Sequence, residues 1–185
     1  DWANNWKKYY KPVKVGNKIV IKPSWESYIP QEDEVVLELD PGMAFGTGTH
    51  ETTSMCIELL EDKISPDVRL LDVGCGTGIL SIAALLLGAR SVSAIDIDSN
   101  AVRVAKENAK MNKVLDRIDI RQGNLLEELE GKYNIIVANI IADAIIEISR
   151  NINRHLEHGG IFISSGIILD RAKDVENALK KQGHA

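Results

Sequence analysis

The sequence predicts an α/β fold: a doubly wound, mostly parallel sheet with helices on both faces, preceded by a small β-hairpin segment. Three observations carry this. From residue 69 onward, short apolar runs alternate five times with helical patterns, as successive βα units do. The apolar runs are near-continuous, as strands buried on both faces require. The first of them, "RLLDV", runs into the glycine-rich turn "GCGTG" and then into a helical pattern.

The elements follow in order. "WANNWKKYYKP" places Trp2, Trp6, Tyr9 and Tyr10 at helical spacing, and Pro12 ends that segment. "VKVGNKIVIK" reads as a hairpin with Gly16-Asn17 at its turn. "PQED" is a loop and "EVVLELD" a strand, followed by the long glycine-rich loop "DPGMAFGTGTH". A helix over 51–64 stops at Ser65-Pro66. Strands are then expected at 69–73, 91–95, 118–122, 134–138 and 160–164, and helices at 79–87, 99–111, 141–156 and 169–181. Such sheets bind ligands beyond the carboxyl ends of their strands, so the informative residues should follow each strand.

Composition sets limits on function. The chain has 185 residues, enough for one main domain that buries about 70% of its unfolded surface. Hydrophobic residues make up 44% and charged residues 26%, which is ordinary globular usage. The net charge of −5 argues against the whole chain as a nucleic-acid binder. Its distribution is uneven: residues 1–22 hold six lysines and one aspartate, net +5, leaving −10 for the remainder. Two cysteines, Cys56 and Cys75, make no disulfide framework and fit a reduced, cytoplasmic protein. The most apolar window, 79–89, is too short to span a bilayer. The start "DWANNWKKYY" carries neither a signal-peptide pattern nor an initiator methionine, which fits a piece of a longer protein.

The glycine turn poses the chemical question. A dinucleotide fingerprint is G-x-G-x-x-G, whose third glycine would fall at Ile79. Here Gly74, Gly76 and Gly78 follow Asp72 with the spacing G-x-G-x-G. Glycines let the chain turn tightly and let a ligand approach without a Cβ in the way. Asp96 ends the second strand, where a carboxylate accepts hydrogen bonds from both hydroxyls of a ribose. Asp98 or Ser99 is the expected N-cap of the next helix.

With "LDVGCGTG", "AIDID" and "VANIIA", the chain resembles the class I, Rossmann-like methyltransferases that use S-adenosyl-L-methionine. The loop "DPGMAFGTGTHETT" and the tail "SSGIILDRAKDV" narrow the resemblance to the PrmA-type methyltransferases of bacterial ribosomal protein L11. That resemblance implies cofactor contacts from Thr53, Gly74, Gly76, Asp96 and Asn139, with adenine near Gly123-Asn124. Phe45, Thr47 and His50 belong to the signature loop and are expected to close over the ligand.

Asn139 is the expected catalytic position. It follows the fourth sheet strand, where a side chain faces the transferred methyl group. Relatives acting on planar amide or base nitrogens carry Asn/Asp-Pro-Pro-Tyr there, whereas this chain has Asn139-Ile140-Ile141-Ala142. The absence of the prolines and the aromatic suits a flexible alkyl amine. The implied reaction is in-line displacement by an unprotonated amine. At pH 7 deprotonation costs about 4.6 kcal/mol for a lysine and about 1 kcal/mol for an α-amine. No general base is assigned; His50 is the candidate to test.

The resemblance further implies a protein N-methyltransferase that modifies lysine side chains and the N-terminal α-amine of ribosomal protein L11. It is expected to act as a cytoplasmic monomer with no membrane or direct nucleic-acid partner. Residues 1–33 are read as a connector and hairpin left from an N-terminal substrate-recognition domain, and 34–185 as the catalytic domain lacking its last strands. The rival readings are an RNA or small-molecule methyltransferase, a nicotinamide oxidoreductase and a non-catalytic binding module. His155 and His158 are read as a helix end and not as a metal pair, and Cys75 as a small buried filler.

Overall fold

The computed structural model describes residues 2–40, 51–124 and 129–184. The main sheet has five parallel strands: β4 (Arg69–Val73), β5 (Ser91–Asp96), β6 (Ile118–Gln122), β7 (Tyr133–Asn139) and β8 (Leu156–Ser165). Their order is β6-β5-β4-β7-β8, so β4 is central and the chain reverses direction across the sheet beside it. That reversal opens a crevice at the carboxyl ends of β4 and its neighbours.

Among the described residues, five α-helices accompany the strands: α1 (Glu51–Lys63), α2 (Ile79–Leu86), α3 (Ser99–Met111), α4 (Ala142–Ser149) and α5 (Leu169–Lys181). Ile79 through Leu85 are all buried, so α2 is apolar all round because it is covered all round. One apolar cluster joins α1, α2 and α3 to one face of the sheet through Ile57, Leu60, Ile82, Val102 and Leu70. On the opposite face Leu71, Val73 and Ile136 pack with Ile148 and Ile152. Asp98 caps α3, its carboxylate accepting from the Asn100 amide at 2.9 Å.

The amino-terminal segment forms a second, three-stranded sheet of β1 (Val13–Val15), β2 (Ile19–Lys22) and β3 (Val35–Glu38). β1 and β2 are the expected hairpin, but β3 joins β2 in parallel and thereby crosses the boundary drawn at residues 33/34. Pairing alternation alone did not say which sheet would take "VVLE". Val15, Ile19, Ile21, Leu37 and Leu39 belong to the same buried cluster as Leu70 and Ile82, so the small sheet shares the core of the large one.

Two further expectations shift. Residues Trp2–Tyr9 form a 3-10 helix, and Tyr9 and Tyr10 are exposed. The helix expected over 141–156 ends at Ser149 and gives way to a 3-10 turn at Ile152–Arg154. Ile145, Ile148 and Ile152 keep an apolar spacing that fits either geometry, while the turn lets the His155 carbonyl accept from the Tyr133 amide (2.8 Å) and start β8. The two histidines are thereby separated: His155 is buried with its Nδ1 3.2 Å from the Gly131 carbonyl, and His158 lies exposed within β8. Among the described residues, no helix is long and apolar enough to cross a membrane.

Candidate active site

At the carboxyl end of β4 the chain turns through Gly74, Gly76 and Gly78, whose φ angles of 71°, 54° and 80° are all left-handed. The turn is pinned from β5. The Ile95 carbonyl accepts from the amides of Gly74 (2.8 Å) and Cys75 (3.1 Å). Asp96 supplies the next tie, one carboxylate oxygen accepting from the Gly76 amide and the other from the Asp98 amide, each at 2.9 Å. Gly74 admits no side chain, because a Cβ there would stand 2.3 Å from Ile140 Cγ2. Behind the turn, the buried Asn108 amide donates to the Thr77 carbonyl at 2.9 Å and holds α3 against it.

Asp72 lies beneath this turn, 2% exposed, its carboxylate accepting from Ser81 Oγ at 2.6 Å. Burial pushes its carboxyl up to about 6, the Ser81 hydrogen bond opposes that rise, and the nearby Asp96 charge adds to it. Cys75, in the turn itself, is buried and its thiol is pushed up by burial, with the charges of Asp72 and Asp96 adding. It is therefore held as the thiol, without the thiolate that nucleophilic cysteines need.

Asn139 ends β7. Its Nδ2 donates to Thr53 Oγ1 at 3.3 Å, which links β7 to the first turn of α1. Ser165 Oγ donates to the Thr52 carbonyl, also at 3.3 Å, linking the end of β8 to the same turn. Gly166 follows with φ +84°, and its Cα lies so close to Asn139 and Ile140 that a Cβ would be 2.9 Å from the Ile140 carbonyl oxygen and 3.1 Å from Asn139 Oδ1.

These elements enclose a cavity of about 740 Å³, within the usual range for small-molecule sites. Gly74, Asp96 and Asn139 line it from the strand ends, with Gly123 and Asn124 at one side and Thr52 and Gly166 at the other. Ile95, Ile97, Ile140, Ile141 and Ala144 supply an apolar wall, and Ile97 and Ile141 are largely exposed. Among the described residues, the charged members of the lining are Asp96 and Glu147, and no lysine, arginine or histidine contributes.

Of the residues singled out from sequence, Gly74, Asp96 and Asn139 line the cavity, and Gly76 stands one hydrogen bond behind Asp96. Thr53 is 1% exposed and faces Asn139, while its neighbour Thr52 reaches the cavity. Phe45, Thr47 and His50 lie outside the described residues. Gly166 and Glu147 were not singled out. The signal for Gly166 was present, since it is a glycine directly after a strand; Glu147 reads as one more surface acid on a helix until α4 is placed beside the crevice. The amino-terminal lysines are largely engaged within their own segment. Lys11 and Lys14 pair with Glu26 (3.0 Å) and Glu34 (3.3 Å), Lys22 with Glu38 (3.4 Å), and Lys7 stands over the Trp25 ring.

A glycine turn after the central strand, an acid after its neighbour and a polar side chain after the strand on the other side, on a sheet of this order, define the class I methyltransferase fold. The family model for "Ribosomal protein L11 methyltransferase (PrmA)" matches residues 1–185. The chain belongs to that family. A ribosomal protein L11 methyltransferase of Alkaliphilus oremlandii is 54% identical over 183 residues, covering 99% of this chain and 58% of its own length. One from Caldanaerobacter subterraneus subsp. tengcongensis is 56% identical over 176 residues, covering 95% of this chain and 57% of its own. The chain thus spans a little over half the length of these curated relatives. Among solved structures, a ribosomal protein L11 methylase from Lactobacillus delbrueckii subsp. bulgaricus superposes with a TM-score of 0.87 at 36% identity, covering 94% of this chain and 89% of that one.

Proposed function

We propose that this chain is the S-adenosyl-L-methionine-binding, catalytic part of a protein N-methyltransferase whose substrate is ribosomal protein L11. The observation that carries the cofactor reading is Asp96 lining the cavity at the end of β5, beside the glycine turn; among the described residues the charged members of the lining are two carboxylates, Asp96 and Glu147. A dinucleotide would bring a doubly charged pyrophosphate beside those two carboxylates. S-adenosyl-L-methionine brings a net positive charge. Family membership supports the acceptor.

The residues present fit that cofactor. Each Asp96 oxygen accepts one backbone amide and keeps a lone pair for a ribose hydroxyl. Gly74 offers bare backbone at the cavity wall, and Ile95 and Ile97 give a planar base an apolar surface beside Gly123 and Asn124. When bound, the cofactor supplies an electrophilic methyl group on a positively charged sulfonium.

The chain's own contribution is alignment. Asn139 ends the strand that points at the cavity and presents its carboxamide to the acceptor nitrogen. The apolar wall of Ile140 and Ile141 excludes water around an alkyl amine. That desolvation favours the neutral, nucleophilic amine over the ammonium ion. Positioning of the two reactants then provides most of the acceleration such a transfer needs. Substrate selection belongs to the whole protein, acting as a monomer in the cytoplasm, and contacts remote from the reacting amine supply the alignment energy.

Calorimetry with S-adenosyl-L-methionine, S-adenosylhomocysteine and NAD tests the cofactor. Binding of the first two without the third is expected, and binding of NAD alone overturns the reading. For the acceptor, the complete protein is incubated with labelled cofactor and purified ribosomal protein L11. Mass spectrometry should place methyl groups on lysine side chains or the α-amine, and transfer to ribosomal RNA instead would refute the protein substrate.

A further inference from the structure

We infer that Glu147 determines which base the cofactor site accepts: its carboxylate receives the 6-amino group of adenine and thereby selects a 6-aminopurine nucleoside over a 6-oxopurine. The inference rests on the methyltransferase reading above and deepens it.

Glu147 stands where an acid does nothing for the fold. It lies in the last turn of α4, at the negative pole of the helix dipole, where a carboxylate is locally unfavourable. Among the described residues it has neither an ion pair nor a hydrogen bond. It lines the cavity all the same. Ile141, Ala144 and Glu147 follow one another there at intervals of three residues, so α4 presents one stripe to the cavity. At a rise of about 1.5 Å per residue, Glu147 is about 9 Å along the helix from Ile141. Ile141 is two residues from Asn139, at the end where the methyl group is transferred. Glu147 is thus the member of the stripe farthest from the transfer. Its neighbour Ile148 packs in the same buried cluster as Ile95, and Ile95 Cδ1 would stand 3.0 Å from a Cβ on Gly123. This turn of α4 therefore lies toward Gly123 and Asn124, the side that takes the base.

The apolar wall cannot choose among bases. Ile97 and Ile141, 65% and 69% exposed, offer uncovered faces that suit any flat ring and carry no information about its substituents. Discrimination needs a polar group at the ring's edge. An ionised carboxylate only accepts hydrogen bonds. The 6-amino group of adenine donates, so the two are complementary. A 6-oxopurine turns a lone-pair-bearing oxygen to the same place and is repelled, and a purine with hydrogen at that position offers no donor. Glu147 is exposed in the free protein, so water competes with the base and the preference is moderate.

The test measures binding to the complete protein by calorimetry. The ligands are S-adenosylhomocysteine and its two analogues carrying a 6-oxo group or a hydrogen in place of the 6-amino group. The unmodified protein should prefer S-adenosylhomocysteine over both by about tenfold. Glu147→Ala should cut both preferences to about threefold or less by weakening the amino compound alone, a coupling of one side chain to one ligand group that general loosening of the fold does not produce. Glu147→Gln should keep part of the preference over the hydrogen analogue, because its amide oxygen still accepts. It should lose the preference over the oxo analogue, because its amide nitrogen donates to that oxygen. Equal weakening of all three ligands in Glu147→Ala, or preferences that survive it, would overturn the inference. A raised KM for ribosomal protein L11 with unchanged ligand preferences would place Glu147 on the acceptor and overturn it as well. An unmodified protein that binds S-adenosylhomocysteine without preference also refutes it, whereas one that binds none of the three strikes the methyltransferase reading itself.

Discussion

Asp72 and Asp96 are two carboxylates on adjacent strands with opposite surroundings. Asp96 reaches the cavity and already holds the amides of Gly76 and Asp98. Asp96→Ala should therefore weaken S-adenosyl-L-methionine binding by about 1.5–3 kcal/mol for each charged hydrogen bond lost. The freed amides lie close to water, so the melting temperature should fall by only a few degrees. Calorimetry and a thermal melt on the same variant separate the two effects, and a collapsed melting temperature with unchanged affinity would make Asp96 purely structural. Asp72 is buried, and its carboxyl is raised from the ordinary 3.8 to about 6. The folded chain thus keeps this proton over a range in which the unfolded chain has released it. Stability falls as pH rises through that window, and the loss is complete above about pH 6. Its size is on the order of 3 kcal/mol. Asp72→Asn lacks this titration, so urea denaturation at pH 4 and pH 7 should show the variant gaining on the wild type at the higher pH. Parallel pH dependence in the two proteins would show that Asp72 does not titrate there.

At the level of elements, one side chain fastens the amino-terminal hairpin to the catalytic layer. The Glu61 carboxylate on α1 accepts from the amides of Asn17 (2.8 Å), Lys18 (2.8 Å) and Ile19 (3.1 Å). Gly16, at φ +69°, lets the turn come this close; a Cβ there would lie 2.7 Å from the Glu61 carboxylate. Hydrogen bonds to a charged group contribute about 1.5–3 kcal/mol when shielded and less at a wet turn. Glu61→Ala should cost about 1–3 kcal/mol in total and speed hydrogen exchange at Asn17, Lys18 and Ile19. Exchange that stays slow at those three amides would show that the hairpin is held by its apolar face alone. Sequence reading found the turn from Gly16-Asn17 but could not find its partner, because Glu61 lies more than 40 positions away and resembles any exposed helical acid. The same limit applied to "VVLE": its apolar character marked a strand, and only the pairing with β2 showed which sheet it completes.

For the whole molecule, the shared core has a direct consequence. Leu37 and Ile19 are fully buried in the cluster that also contains Ile57, Leu60, Leu70 and Ile82. The small sheet and the methyltransferase sheet should unfold together, in one transition seen at the same midpoint by circular dichroism and by tryptophan fluorescence. Leu37→Ala should cost about 2–5 kcal/mol and shift both signals equally. Two separated transitions, with only the fluorescence shifted, would place a domain boundary near residue 33. Residues 23–185 carry a net charge of −10, while the lysines of residues 1–22 are largely committed to local partners.

The sequence by itself determined the parallel sheet, four of whose five strands fall within a residue of their expected ranges, and the positions of Gly74, Asp96 and Asn139 at strand ends. Those features are local: periodicity, glycine spacing and the residue after a strand are all read within a few positions. It fell short where partners meet from distant parts of the chain. Of two adjacent threonines, tertiary structure decided that Thr52 lines the cavity while Thr53 turns inward to Asn139. It brought Glu147 and Gly166 to the site, ended α4 about two turns early so that β8 could start beside β7, and buried Asp72 against Ser81. Each of these depends on which face of an element meets which neighbour. That is settled by the packing of the whole core, because helix rotation and strand register are fixed only when every apolar face is buried at once.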